Sequence, residues 1–423
     1  MAYYEINGGR PLNGSVTISG SKNAALPIIC ASVLAGEPCR IENLPDIDDV
    51  RRITEILEMM GAKIERPCAG VIVVDPRTIT QYTVTNEMAS MLRASYYMLG
   101  ALLGRYGHAE IAQPGGCAIG QRPIDYHING MRALGAKVQN RGGIVTATAE
   151  KLTEADIYLD IASVGATINI MLAACRAEGR TVINNAAQEP HVVDVANFLN
   201  TMGASVRGAG TNVIRIEGRK NLHGCTYAII PDQIEAGTFM IAAAATQGNV
   251  ILNNIIPTHL EAIAAKLMES GIEVITGDNG ADFYMQIIAN DRPRAVNIKT
   301  LPYPGFPTDL QQPMTALLAV ASDGSSFVTE NLFEDRFNHV RELNRMGAKV
   351  TVNGRTATIE GVDKLYGAEI YASDLRAGAA MIVAALMAEG KSRVRNIHYI
   401  DRGYENIEEK LRALGADITR IEE

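Results

Sequence analysis

LEMMGAKI, residues 57–64, returns five more times, as MRALGAKV (131–138), LNTMGASV (199–206), LMESGIEV (267–274), LNRMGAKV (343–350) and LRALGADI (411–418). The central glycines Gly61, Gly135, Gly203, Gly271, Gly347 and Gly415 are 74, 68, 68, 76 and 68 residues apart. Self-similarity at so constant a period marks an array of one structural unit. Each copy carries the same local physics. Apolar residues arrive at helical spacing, as in Val50, Ile53, Ile56, Leu57 and Met60, which predicts an amphipathic helix. The glycine then ends that helix in the left-handed conformation that only glycine adopts cheaply. A short alternating strand follows, Ala62 to Glu65 in the first copy.

Upstream of each such helix lies a second, Ala-rich helix and then a strand. Examples are KNAALPIICASVLAG (22–36) before EPCRIENL, and IEAGTFMIAAAATQG (234–248) before NVILNNII. Small side chains permit close approach, so these helices are expected at the centre, with sheets outside. The reading is an α/β protein of six β-α-β-α-β units in two domains of three. The first domain is expected over 22–230. The second is expected over 231–423 together with 1–21, the latter supplying the missing strand of the last unit. Two chain crossings then join the domains, a hinge arrangement that suits closure of an inter-domain cleft on a ligand.

Composition narrows the function. At 423 residues the chain exceeds one core of ordinary size. Apolar residues make up 47% and charged residues 20%, as in a globular protein. There is neither an eighteen-residue apolar run nor a charged start followed by an apolar segment, so no membrane partner and a cytoplasmic location are expected. A net charge of −8 argues against nucleic acid. Six scattered cysteines without a C-x-x-C pair and seven dispersed histidines suggest neither a disulfide framework nor a metal site. G-x-x-x-x-G-K-[ST] is absent, so nucleotide hydrolysis is not indicated; no G-x-G-x-x-G follows a first strand either, and no cofactor is expected.

The chemistry-bearing stretch is QPGGCAIGQRPID, residues 113–125. Three glycines and two prolines exclude a regular helix or central strand, so Cys117 is displayed on a loop with Arg122 nearby. It reads either as a small hydrophobe tucked under that loop or as a reactive thiol. Comparing the six units decides what surrounds it. At the starts of the Ala-rich helices stand Lys22-Asn23, Arg93, Ser163-Val164-Gly165, Asp232, Thr308-Asp309, and Asp374 with Arg376. The loops after the following strands carry Asp46, Cys117 with Arg122, Glu189, Pro257-Thr258, Glu334 with Arg336, and Asp401-Arg402. These groups are expected at one end of each domain. Ser163, Asp232 and Asp309 also fit ordinary helix caps. Lys22, Arg93, Arg376 and Arg402, read as lying at or near helix starts, are electrostatically misplaced unless an anion binds there. His127, His191 and His339 read as capping or surface residues.

GSKNAALP (20–27), PGGCAIGQRP (114–123), SVGAT (163–167), NAAQEP (185–190), PDQIEAGTF (231–239), GFPTDLQ (305–311), TENLFEDRFNHV (329–340), ASDLRAG (372–378) and DRGYENIEEKL (401–411) resemble the enolpyruvyl transferases along essentially the whole chain. The resemblance points to the branch that acts on UDP-N-acetylglucosamine in peptidoglycan synthesis, and implies two inside-out α/β barrels. The sibling branch acting on shikimate 3-phosphate lacks the loop cysteine. On this resemblance Cys117 delivers a proton to C3 of phosphoenolpyruvate, can carry a phospholactoyl adduct, and is the residue fosfomycin alkylates. Asp309 is the base for the sugar 3′-hydroxyl. Lys22, Arg122 and Arg402 hold the phosphate, Arg376 and Arg402 lie near the carboxylate, and Asn23 and Arg93 complete that pocket. Arg122, Pro123, Ile124, Asp125 and Tyr126, with Ser163, Val164, Gly165 and Leu332, hold the sugar nucleotide, and Arg336 joins the binding set. Two positions depart from many relatives. Ile161 stands where they have a lysine, and His191 where they have an acid. A weakly catalytic binding paralogue is the third reading; it would be expected to have lost Cys117, Asp309 or an arginine.

Overall fold

The computed structural model describes residues 2–113, 124–278, 280 and 282–422. The chain divides into two compact units, one drawn from 20–230 and the other from residues up to Ser19 together with Pro231 onward. Each has its own core of buried aliphatic side chains. The described residues form six four-stranded sheets, three in each unit.

The sheets share one plan. In the second, Thr83–Val84 runs parallel to His108–Ala112, which pairs antiparallel with Ile144–Thr148, and that strand with Lys137–Arg141. The expected strand after the glycine is therefore the first arm of a hairpin, and its second arm sits inside the sheet. Each unit thus has one strand more than the β-α-β-α-β pattern. The extra strand supplies the partner that a lone edge strand would lack. Here the hairpin is turned by Gly142 and Gly143, at φ 61° and 79°. The helix-ending glycines lie at φ between 90° and 102°, and a Cβ on Gly61 would come 2.8 Å from the Thr78 carbonyl oxygen.

The N-terminal segment behaves differently from the expectation of one strand in the last unit. Tyr3–Asn7 does join the sixth sheet, between Lys391–Arg395 and Asp417–Ile421. Asn13–Thr17 instead pairs parallel with Asn249–Asn253 of the fourth sheet. The matching slot of the first sheet is filled by Thr226–Ala228, parallel to Cys39–Glu42. The strands preceding the first and fourth Ala-rich helices have exchanged sheets, because the chain changes unit between strand and helix at both places.

The Ala-rich helices are α1 (Lys22–Ala31), α2 (Met98–Tyr106), α3 (Val164–Ala174), α4 (Gln233–Ala245), α5 (Thr308–Leu318) and α6 (Leu375–Met387). Nearly every residue of α3, α4 and α6 is buried, whereas the outer helix Asp48–Met59 buries one face through Val50, Ile53, Ile56 and Leu57. Small residues set the spacing at the centre. A Cβ on Gly100 of α2 would lie 2.1 Å from the Asn169 carbonyl oxygen of α3. Asn169 uses that closeness, accepting from Gly100 N at 2.6 Å and donating to the Tyr96 carbonyl at 2.8 Å. The stretch leading into α2 is broken at extended Leu92 into Asn86–Met91 and a 3₁₀ turn, Arg93–Tyr97. Arg93 opens that turn.

Candidate active site

In the unit holding 231–422, three predicted residues come together. Asp309 lies in the first turn of α5, behind Pro307 at the N-cap, so it does not cap the helix as its sequence position allowed. Its carboxylate instead receives Arg336 Nη2 at 2.5 Å on Oδ1 and Arg376 Nη2 at 2.9 Å on Oδ2. Both arginine side chains are almost wholly buried, while Asp309 keeps 25% of its side-chain surface. Arg376 reaches it from the start of α6, whose cap is Asp374, accepting from the Arg376 and Ala377 N–H groups at 2.9 and 3.0 Å. Burial acts to lower the Arg376 guanidinium. The Asp309 carboxylate first, then the Tyr404 hydroxyl and the Asp232 carboxylate, more than reverse this and hold it above its ordinary range, so it stays cationic. The Arg376 Cζ lies over the Tyr404 ring, 5.5 Å from the centroid.

Arg336 is fixed by a residue that the sequence comparison did not single out. Glu330, fully buried, accepts from Thr300 Oγ1 and Leu332 N at 2.8 Å and from Phe333 N at 3.2 Å through Oε1. Its Oε2 accepts from Thr308 Oγ1 at 2.8 Å. Thr308 in turn accepts from Arg336 Nε at 3.3 Å. One carboxylate thus pins the start of α5, the turn bearing half-buried Leu332 and the approach to Arg336. Gln312 adds a clamp through Nε2, donating to the Arg336 carbonyl at 3.2 Å and to Asp374 Oδ2 at 3.4 Å. Pro313 deletes the intrahelical bond that would end on the Asp309 carbonyl, as Pro27 does for Asn23.

His339, expected as a capping or surface residue, stands at the N-cap position of Val340–Arg345 but makes no side-chain capping bond. It is buried, and its ring leans toward the Arg336 backbone without reaching hydrogen-bond geometry at either nitrogen. Burial pushes it down to about 4, opposed by Asp374 and assisted by Arg336. A histidine depressed on folding adds stability above its unfolded value of 6.5, and loses it as pH falls from there through 4. The interval corresponds to about 3 kcal/mol. His339→Leu is expected to hold or raise stability at pH 7, since it removes an unpaired polar group. It should also flatten the acid limb of a urea-denaturation profile between pH 6.5 and 4.

In the unit drawn from 20–230, Lys22 opens α1, is buried, and pairs with buried Asp49 at 2.7 Å. Half-buried Asn23 follows it, and half-buried Arg93 opens the 3₁₀ turn. Ser163 caps α3, accepting from Ala166 N at 3.3 Å, with Val164 and Gly165 behind it. The His127 ring rests against Gly165, where a Cβ would come within 3.1 Å. Ile124 precedes the helix Asp125–Ala133, which exposes Asp125 and half-buries Tyr126. Cys117, Arg122 and Pro123 lie outside the described residues.

Three expectations change. Lys22 and Arg376 are countered inside the protein by Asp49 and Asp309, so the helix-start argument alone does not demand an anion. Arg402 caps the C-terminal end of His398–Asp401, a favourable place for a cation. Three of the acidic residues grouped with the site by position pair with arginines outside that grouping. Asp46 pairs with Arg51, Glu334 with Arg355, and Asp401 with Arg420 through two 2.8 Å bonds.

The chain matches the family model described as EPSP synthase (3-phosphoshikimate 1-carboxyvinyltransferase) over residues 6–411. It is 54% identical over 423 residues to UDP-N-acetylglucosamine 1-carboxyvinyltransferase 3 of Caldanaerobacter subterraneus subsp. tengcongensis, covering all of both chains. The UDP-N-acetylglucosamine 1-carboxyvinyltransferase of Clostridium botulinum is also 54% identical, over 422 residues and again 100% of each chain. Among solved structures, the enolpyruvyl transferase NikO of Streptomyces tendae is similar at a TM-score of 0.87 and 28% identity, with 99% of this chain and 98% of that one covered. An EPSP synthase of Acinetobacter baumannii, at 20% identity, a TM-score of 0.77 and full coverage of both, shares the fold.

Proposed function

Because this chain belongs to the EPSP synthase family of enolpyruvyl transferases, we propose that it moves the enolpyruvyl group of phosphoenolpyruvate to the 3′-hydroxyl of UDP-N-acetylglucosamine. Phosphate is released, and the product enters peptidoglycan synthesis. The observation that carries this reading is the Asp309 carboxylate held between two buried guanidiniums, in a chain 54% identical along its whole length to enzymes named for that reaction.

Asp309 takes the proton of the attacking hydroxyl as its oxygen bonds to C2 of phosphoenolpyruvate, and Cys117 protonates C3. Loss of a C3 proton then expels phosphate from C2. Lys22, Arg122 and Arg402 bind the phosphate, and Arg376 with Arg402 the carboxylate, with Asn23 and Arg93 in the same set. Arg336 orients Asp309. The segment 122–126, Ser163 to Gly165 and Leu332 hold the sugar nucleotide. Fixed cations are effective here because they need no reorganisation as charge moves from C2 to the departing phosphate. Among the described residues no helix is long and apolar enough to cross a membrane. A cytoplasmic enzyme without a cofactor completes the proposal.

The test is phosphate release from phosphoenolpyruvate with UDP-N-acetylglucosamine or shikimate 3-phosphate as acceptor, for wild type and Cys117→Ala. Release with the sugar nucleotide alone, lost in the variant, is the expected result. Release with shikimate 3-phosphate instead would move the chain to the sibling activity. No release with either acceptor would leave a binding paralogue.

A further inference from the structure

Cys39 and Cys225 take no part in the transfer chemistry, yet the fold sets them side by side. Thr226–Ala228 runs parallel to Cys39–Glu42 with Thr226 opposite Arg40. The Arg40 N–H donates to the Cys225 carbonyl at 2.8 Å, which continues the pairing one step back and places Cys225 beside Cys39. Paired residues of neighbouring strands project to the same face, and their backbones lie about 4.8 Å apart. That is inside the range of about 4.4–6.8 Å between Cα atoms that a disulfide spans. Burial agrees on which face it is. Cys39 and Ile41 are buried while Arg40 and Glu42 are partly exposed. Half-buried Cys225 and Tyr227 flank exposed Thr226. The neighbouring Cys39 thiol holds the Cys225 sulfur below its ordinary range. The neighbouring Cys225 sulfur, together with burial, pushes Cys39 up.

We propose that Cys39 and Cys225 are a reversible dithiol–disulfide pair, closed by hydrogen peroxide and reopened by a small thiol. The Cys225 thiolate attacks one peroxide oxygen. The O–O bond breaks, the departing hydroxide takes up a proton as water, and Cys225 is left as a sulfenic acid. The Cys39 sulfur then attacks the Cys225 sulfur. The S–O bond breaks, and the hydroxyl leaves with the Cys39 proton as a second water. Two thiols and one peroxide become one disulfide and two waters, each sulfur giving up one electron. Two equivalents of a small thiol reverse it by exchange.

Geometry assigns the roles. Cys225 is accessible enough to meet the oxidant, whereas Cys39 is fully buried and can only resolve. Cβ atoms at paired strand positions stand roughly 5 Å apart, beyond the spacing of about 3.8 Å that a relaxed disulfide prefers. The strands must draw together, and a bond formed under strain is easily reduced, as a transient bond in a reducing compartment requires. Among the described residues the competing cysteines are set apart. Cys30 and Cys175 are buried elsewhere in the core, burial pushing the latter up to about 12. Exposed Cys68 interacts with Arg40, whose side chain leaves the opposite face of the strand.

Full-length protein treated with stoichiometric hydrogen peroxide, alkylated with iodoacetamide and digested without reductant should yield a Cys39 peptide joined to a Cys225 peptide. The pair should be two hydrogens lighter than the separate thiols and be lost after dithiothreitol. Cys225→Ser should abolish the link, and Cys39→Ser should raise dimedone trapping at Cys225 several-fold. Complete alkylation of both residues after peroxide, or linkage of Cys225 to Cys68 or Cys117, would overturn the proposal. The readout is a specific linkage in the wild-type chain, so it stands whether or not the transferase activity is found and whether or not a variant folds.

Discussion

Asp309→Asn is expected to slow phosphate release by about 10³-fold, the middle of the range for a positioned general base or acid, without raising the KM for phosphoenolpyruvate. The amide keeps the shape of the carboxylate and can still accept one guanidinium bond through its oxygen. It cannot take the hydroxyl proton. It also stops competing with substrate anions for Arg336 and Arg376, so binding of phosphoenolpyruvate should hold or tighten while turnover collapses. That split separates two roles which the geometry alone leaves entangled. A carboxylate that merely neutralised two buried arginines would, when removed, disturb binding and turnover together. Stability should fall by less than the roughly 3–5 kcal/mol of breaking a fully buried ion pair, because a quarter of the Asp309 side chain remains accessible. Turnover within tenfold of wild type would make Asp309 a counter-ion and not a base.

How much of this the sequence discloses depends on whether a feature is local. The glycine of each repeat ends a helix within its own few residues, so all six copies announce themselves, and the positive φ at Gly61 and its counterparts follows directly. Asp309, Arg336 and Arg376 could be grouped because each fills an equivalent place in a repeated unit, and pseudo-symmetry brings equivalent places together. What stayed hidden is what breaks the repetition. The exchange of Asn13–Thr17 and Thr226–Ala228 between sheets requires knowing where the chain changes unit. The hairpin arm inside each sheet is marked only by short alternating segments such as Val71–Asp75. Helix-start position misjudged Lys22, whose charge is met by Asp49, twenty-seven residues on. His339 looked like a cap by position, and only the packing around it shows a buried neutral ring.

Glu330 is the clearest case of a residue that sequence reasoning passes over, and its replacement should have the largest effect on stability. Nothing in TENLF distinguishes it from an exposed acid at the end of a strand. In the fold it is fully buried and accepts from four donors, two hydroxyls and two backbone N–H groups. Glu330→Ala strands those donors away from water, each at a cost of about 1 kcal/mol or more, so a loss of about 3–4 kcal/mol by urea denaturation is expected. Glu330→Gln distinguishes the scaffold from the site it supports. The glutamine oxygen can still take Leu332 N, Phe333 N and Thr300 Oγ1. Its NH₂ group must face Thr308 Oγ1, which then becomes an acceptor for two donors, the amide and Arg336 Nε. Most of the stability should therefore survive while Arg336 loses its fixed approach to Asp309, and turnover should fall about 10-fold, the price of roughly 1.4 kcal/mol of lost positioning. If both variants lost stability and activity in the same proportion, Glu330 would be a structural strut alone. If Glu330→Gln kept stability and lost turnover, a carboxylate with no access to substrate would be setting the geometry of the group that reacts.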